Sequence, residues 1–172
     1  MLSRTADSLY WTGRYMERAD FLARILEAAL RLAALPSRDG DGADTAWSSA
    51  IASAGATAAF YARYKTATER TVREFLTAPG NDFSIHTCLT KARTNARSVR
   101  TALTIELWEA INGGWNQLPE FEAGLSNRDG VVRFIEWVKH MALAFDGAAL
   151  RTMLRSDSYW FLRLGAGIER AD

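Results

Sequence analysis

Residues 9–35 read LYWTGRYMERADFLARILEAALRLAAL, and this stretch decides the fold. It is built almost wholly of helix-forming residues. Leu9, Gly13, Met16, Ala23 and Leu30 fall on one helical row, and Trp11, Tyr15, Arg18, Leu22 and Ile25 on a second beside it. A helix that is apolar around much of its girth belongs at the centre of a bundle, not on its surface. Within it lies Glu17-Arg18-Ala19-Asp20, a string that recurs as the last four residues, Glu169-Arg170-Ala171-Asp172. A charge in a buried helix costs several kcal/mol unless it is paired. Neighbours on a helix point about 100° apart, so Glu17 and Arg18 do not pair with each other. Each needs a partner elsewhere.

The totals bound the class. The 172 residues suffice for a single domain, 1–172, with a substantial core. Apolar residues make up 48% and charged residues 24%, the balance of a globular chain. A net charge of +1 gives no pull toward nucleic acid or an anionic membrane. One cysteine, Cys88, excludes an internal disulfide and fits a reducing compartment. Charges at Arg4, Asp7 and Arg14 interrupt any signal-type apolar segment, and no window reaches the roughly 18 apolar residues that span a bilayer. The expected location is the cytoplasm, with no membrane partner.

Working outward, Ser3 is expected to cap the first helix and Pro36 to stop it after Leu35. Residues 36–46 are rich in Pro, Gly and Asp and read as a loop. A helical region rich in small residues follows over 47–64, then a short amphipathic segment with Val72, Phe75 and Leu76, then a Pro79-Gly80-Asn81 turn. Ile85, Leu89, Ala92, Ala96, Val99 and Leu103 form an i, i+3/i+4 row over a helix from 82 to about 112, with a break near 101–104. Asn112-Gly113-Gly114 should end or bend it. Val131, Phe134, Ile135, Val138, Met141, Ala142 and Phe145 mark the core face of another helix. Ser156-Asp157-Ser158 resembles an N-cap cluster for a last helix, 159–172. Period-2 alternation is missing throughout. The expected fold is all-α, a helical bundle of about five to six helices with a buried central N-terminal helix.

The two ends repeat one another. Residues 13–20, GRYMERAD, align without gaps with 165–172, GAGIERAD, and each copy follows an Asp-Ser and a Tyr-Trp pair. Such similarity across the chain suggests two related halves. The second copy stops where the first continues for some fifteen more residues, so the chain reads as truncated inside a helix.

These residues resemble the bacterial alpha-E domain family, helical domains of unknown function named for a Glu-Arg motif. The resemblance rests on Leu2-Ser3-Arg4, Leu9-Tyr10-Trp11 and the run 13–19. It continues through 92–100 (ARTNARSVR), Glu106-Leu107-Trp108-Glu109, Phe161-Leu162-Arg163-Leu164-Gly165 and Ile168-Glu169-Arg170-Ala171. It implies an all-helical fold with two Glu-Arg motifs in a family whose members are typically nearly twice this length. It also implies an association with a circularly permuted ATP-grasp protein of amide-ligase type and a transglutaminase-like protein. The expected role is an accessory or interaction subunit of that peptide-modification system. The alternative is a ligand-binding or catalytic subunit, so whether the chain is an enzyme stays open. Where the family often carries Arg or Lys before the second Glu-Arg, this chain has Ala166-Gly167.

Candidate binding residues follow from charge. Glu17, Arg18, Glu169 and Arg170 could form a polar pocket, Glu as a base or ligand carboxylate and Arg as a bidentate anion clamp. Arg93, Arg97 and Arg100 share one face and could converge on an anion, or instead pair with Glu17 or Asp20 as a network fixing helix register. His86, Cys88 and His140 match no zinc spacing, so no metal site and no cofactor are expected. Apolar surface left by a missing half would favour a homodimer or binding of the ligase or transglutaminase-like partner. Nucleic acid is not expected.

Overall fold

The computed structural model describes residues 1–35 and 42–172, the side chains of 42–44 excepted. The elements are α1 (Ser3–Ala33), α2 (Gly42–Ser53), α3 (Thr57–Tyr61), α4 (Glu69–Thr77), α5 (Ile85–Ser98), α6 (Ile105–Ala123), α7 (Arg128–Thr152) and α8 (Asp157–Ala171). A 3-10 turn, Arg100–Ala102, joins α5 to α6. Among the described residues there is no strand. The all-α expectation holds, with eight α-helices among the described residues in place of five or six.

The extra helices come from local breaks. Gly55, with φ of +64°, splits the 47–64 region into α2 and α3, because only glycine takes that backbone conformation without cost. The side chains of Thr68, Ser84, Thr104 and Asn127 accept backbone N–H groups at the starts of α4, α5, α6 and α7, satisfying donors that a helix start leaves free. The break expected near 101–104 is thus the 3-10 turn followed by the Thr104 cap.

Three boundary expectations are corrected. Leu2, not Ser3, occupies the N-cap position of α1, and it supplies no side-chain bond. Helix α2 begins at Gly42, inside the segment read as a loop, while residues 36–41 lie outside the described residues. Helix α6 runs straight through Asn112-Gly113-Gly114 and carries Pro119 within it. The bare backbone at Gly114 is where the Met141 side chain of α7 lies, so this glycine serves helix packing and not a stop.

Helix α1 is the hub. It packs on α8, α5, α2 and α7, and Leu9, Met16, Leu22, Ala23 and Leu26 are essentially sealed from solvent. Burial of each large side chain contributes about 2 kcal/mol. Helix α5 crosses α1 in the antiparallel sense: Ser98 donates to Ser8, and Lys91 sits over the Tyr15 ring. The expected α5 row is buried from Ile85 through Val99. Helix α8 runs parallel to α1, with Ser158 near Met1 and Glu169 beside Arg18. The repeated ends of the sequence therefore lie side by side and point the same way.

Candidate functional site

The α1–α8 crossing is built on two glycines. A Cβ on Gly13 would run into the carbonyl of Leu162, and a Cβ on Gly165 into the carbonyl of Tyr10. Gly13 and Gly165 are equivalent in the repeat, as are Tyr10 and Leu162, so each copy offers the other the same groove. The two helices are related by a local two-fold rotation at this point.

One turn further on, the same rotation sets the charges. Arg170 of α8 donates to Glu17 of α1 through Nε at 2.6 Å and Nη2 at 2.9 Å. Arg18 of α1 donates to Glu169 of α8 through Nε at 2.5 Å and Nη2 at 3.1 Å. Both are fork-on-carboxylate pairs, the geometry in which guanidinium and carboxylate bind best. A Glu-Arg dipeptide is self-complementary under a two-fold: the acid of each copy meets the base of the other. Two charges that cannot reach each other along one helix are satisfied across two.

The symmetry breaks at Arg14, whose counterpart is Ala166. Arg14 donates to Glu169 through Nε at 2.6 Å, to Asp172 through Nη2 at 2.6 Å and to Tyr10 Oη at 3.3 Å. The Glu169 side chain, only 6% exposed, is thus held by two guanidinium groups, whereas Glu17 is held by one. Burial works against the charge on Arg14, but its bonds to Glu169, Tyr10 and Asp172 outweigh it and hold the guanidinium above its ordinary range. The Arg170 guanidinium is raised too, first by its bond to Glu17. Asp146 of α7 extends the network, accepting from Arg163 at 3.1 Å and from Arg170 at 3.4 Å.

Open clefts flank this clasp. One, of about 370 Å3, is bounded by Glu17, Arg18, Phe21, Phe83, Glu169 and Arg170. A smaller one, of about 110 Å3, lies against Gly13, Asp20, Asp146 and again Glu17 and Arg170. The Glu17–Arg170 pair is the wall between them.

Of the seven candidate residues, the structure brings together Glu17, Arg18, Glu169 and Arg170. Arg93, Arg97 and Arg100 stand apart, and the expectation that they pair with Glu17 or Asp20 is corrected. Arg93 donates to Asn112 at 2.9 Å and lies 4.1 Å over the Trp115 ring, and Arg100 lies over Trp108. Arg97 is exposed, and Asp20 accepts from Arg24 on its own helix at 2.7 Å. Arg93 and Arg100 thus turn toward α6, while the apolar row of α5 packs against α1. Sequence reasoning missed Arg14, Asp146 and Arg163. The signal for Arg14 was present, since it precedes Arg18 by one turn on the same side of α1.

The imagined metal ligands are scattered. His86 bonds Glu122 at 2.5 Å, His140 is exposed on α7, and Cys88 is buried with its thiol pushed up to about 12 by that burial. Among the described residues no three His, Cys, Asp or Glu side chains gather as metal ligands.

A helical bundle whose first and last helices cross at paired glycines and are clasped by two exchanged Glu-Arg pairs defines a class by its motif. The chain belongs to the Alpha-E family, described as a predicted alpha-helical domain with a conserved ER motif, which matches residues 1–172. No curated protein and no solved structure matches the chain. Among the described residues, no helix is long and apolar enough to cross a membrane.

Proposed function

We propose that the chain is a non-catalytic accessory module, acting by contact with an ATP-grasp amide ligase and a transglutaminase-like protein. The observation that carries the non-catalytic part is the pairing of the two Glu-Arg motifs with each other. Both carboxylates and both guanidinium forks are engaged in bidentate pairs between α1 and α8. To act as a general base or a bidentate anion clamp in a substrate pose, these groups would have to give up the pairs that hold them. The motif acts instead as a clasp that fixes the crossing and register of two helices. The choice of partners rests on the family resemblance. Its test is co-purification of the full chain with the ATP-grasp and transglutaminase-like proteins of its source. Elution of all three as separate species would sink the association.

A second reading is favoured by the cleft beside the clasp, which joins Arg18 and Glu169 to the rings of Phe21 and Phe83. In that reading the clasp opens to a ligand. Calorimetric titration with ATP and with short acidic peptides tests it. No heat from either, with Arg18→Ala behaving as wild type, would remove it.

A further inference from the structure

The clasp leaves the arginines of α5 and of the turn after it unused. Between Asp82 and Glu106 the chain holds no acid, yet Lys91, Arg93, Arg97 and Arg100 all fall there. Lys91 is paired with Asp82, but among the described residues Arg93, Arg97 and Arg100 have no carboxylate partner. Arg14, Arg18 and Arg170, by contrast, are all matched to acids within the chain. A local excess of unpaired positive charge on a molecule of net charge +1 is a feature of this surface alone, not of the whole protein.

Two of the three arginines are held in place by rings. The Arg93 guanidinium lies 4.1 Å over the Trp115 ring, and that of Arg100 lies 5.1 Å over Trp108. Trp115 is itself fixed, its indole N–H donating to Thr90 Oγ1 at 3.3 Å. Within the chain Arg93 uses only Nε, on Asn112, so its two Nη groups keep donors for an outside acceptor. Arg97 stands one turn beyond Arg93 on the same side of α5 and is exposed. Trp108 and Trp115 are seven residues apart in the unbroken helix α6, so their rings share a side about 10 Å apart along the axis. A single carboxylate or phosphate group is too small to bridge that distance. The expected convergence of these arginines on one anion therefore gives way to a ligand with several anionic groups in series.

We propose that this stripe docks an acidic, extended peptide segment of a partner protein. Alternate side chains of an extended chain lie on one side about 6.6 Å apart. Residues four apart on a helix are separated by about 6 Å along its axis, so alternate Glu or Asp residues match Arg93 and Arg97 and continue toward Arg100. Guanidinium forks bind carboxylates two-pronged, and here the forks are already oriented. A nucleic acid fits less well. The Trp115 and Trp108 rings carry guanidinium groups on one side and pack on the core, so they offer no open face to stack a base. Glu106 and Glu109 are exposed on α6 close to Trp108 in the chain, and they oppose a backbone charged at every step. A peptide can set neutral residues opposite them. This contact rests on the interaction-module reading and gives it a chemistry, and its test uses neither the ligase nor the transglutaminase-like protein.

The test is fluorescence anisotropy of the full chain with a labelled peptide of alternating Glu and Ser, ~10 residues long. Wild type is expected to bind it at ~50 mM salt and to lose at least ~10-fold in affinity by ~300 mM, as exposed charges are screened. Arg97→Glu sets like charge against the peptide and should weaken binding at least ~10-fold. Its helical circular dichroism should match wild type, since Arg97 is exposed and unpaired. Arg18→Ala should bind as wild type does, which separates this surface from the cleft beside the clasp. No binding up to ~1 mM protein, or equal binding by wild type and Arg97→Glu, would overturn the proposal. So would a loss confined to Arg18→Ala, or tighter binding of a uridine oligonucleotide than of the peptide. Co-purification with the ligase that persists while the peptide fails would remove this contact and leave the accessory reading standing.

Discussion

Gly13 and Gly165 show how much one missing methyl group decides. Each faces a backbone carbonyl of the opposite helix, and backbone cannot turn aside as a side chain can. Gly165→Ala must therefore push α1 and α8 apart, lengthening the Glu-Arg bonds one turn away. Overpacking of this kind costs about 1–3 kcal/mol, and we expect the upper end for either glycine. Gly113, inside α6 with open space where a methyl group would stand, is the contrasting case. There the change to alanine should stabilise by about 0.5–1 kcal/mol through helix propensity alone. Urea denaturation of the two variants beside wild type checks both signs. Equal effects would show that the crossing is not tightly packed. The sequence already set Gly13 and Gly165 at equivalent places in the repeat. It could not show that the two glycines face each other's helix, because that requires the two copies to lie parallel.

At the scale of elements, the clasp divides into a buried half and an exposed half. Removing the charge of Glu169 strands Arg14 and Arg18, and the Arg14 side chain is only 12% exposed. Loss of one partner from a buried pair costs about 3–5 kcal/mol, so Glu169→Gln should lose about 3 kcal/mol. Arg170 is largely exposed, so solvent screens its bond to Glu17, and Glu17→Gln should lose about 1 kcal/mol or less. A shift in urea midpoint with an unchanged slope is the expected form for both. If Glu17→Gln proves the costlier change, the division is wrong. The elements themselves were largely legible, because the apolar rows of α1, α5 and α7 have helical spacing and core positions need little else. What was not legible were interruptions that tertiary contact overrides. Gly113-Gly114 and Pro119 carry the local signals of a helix end, yet packing of Met141 on Gly114 keeps α6 in one piece. The partner of Glu17 was missed for a related reason. The arginine stripe runs beside the apolar row that packs on α1, but Arg93 on α5 and Arg100 in the 3-10 turn lie over the Trp115 and Trp108 rings of α6.

Across the whole molecule, α1 is tied to α7 as well as to α8, and pH reads that tie. Lys139 of α7 donates to Glu27 of α1 at 2.8 Å. Lys139 chiefly, with Arg31, holds the Glu27 carboxyl below its ordinary 4.5, against the opposing effect of burial. A carboxyl depressed on folding contributes stability that is present above the unfolded value and lost as pH falls through the folded one. Wild type should therefore lose melting temperature below about pH 4.5, and Glu27→Gln should lose less over the same window. Parallel curves for the two proteins would show that the Lys139 bond does not couple to folding. Cys88 reports the integrity of the bundle from its centre. It is fully buried on α5, and burial pushes its thiol up to about 12, so the reactive thiolate is suppressed twice over. A disulfide reagent at pH ~8 should leave the native protein unlabelled except through unfolding. The labelling rate should then follow global opening, and Gly165→Ala, which loosens the α1–α8 crossing, should raise it in proportion to its loss of stability. Fast labelling of the wild type would mean that α5 leaves α1 in a local motion, without the clasp having to break.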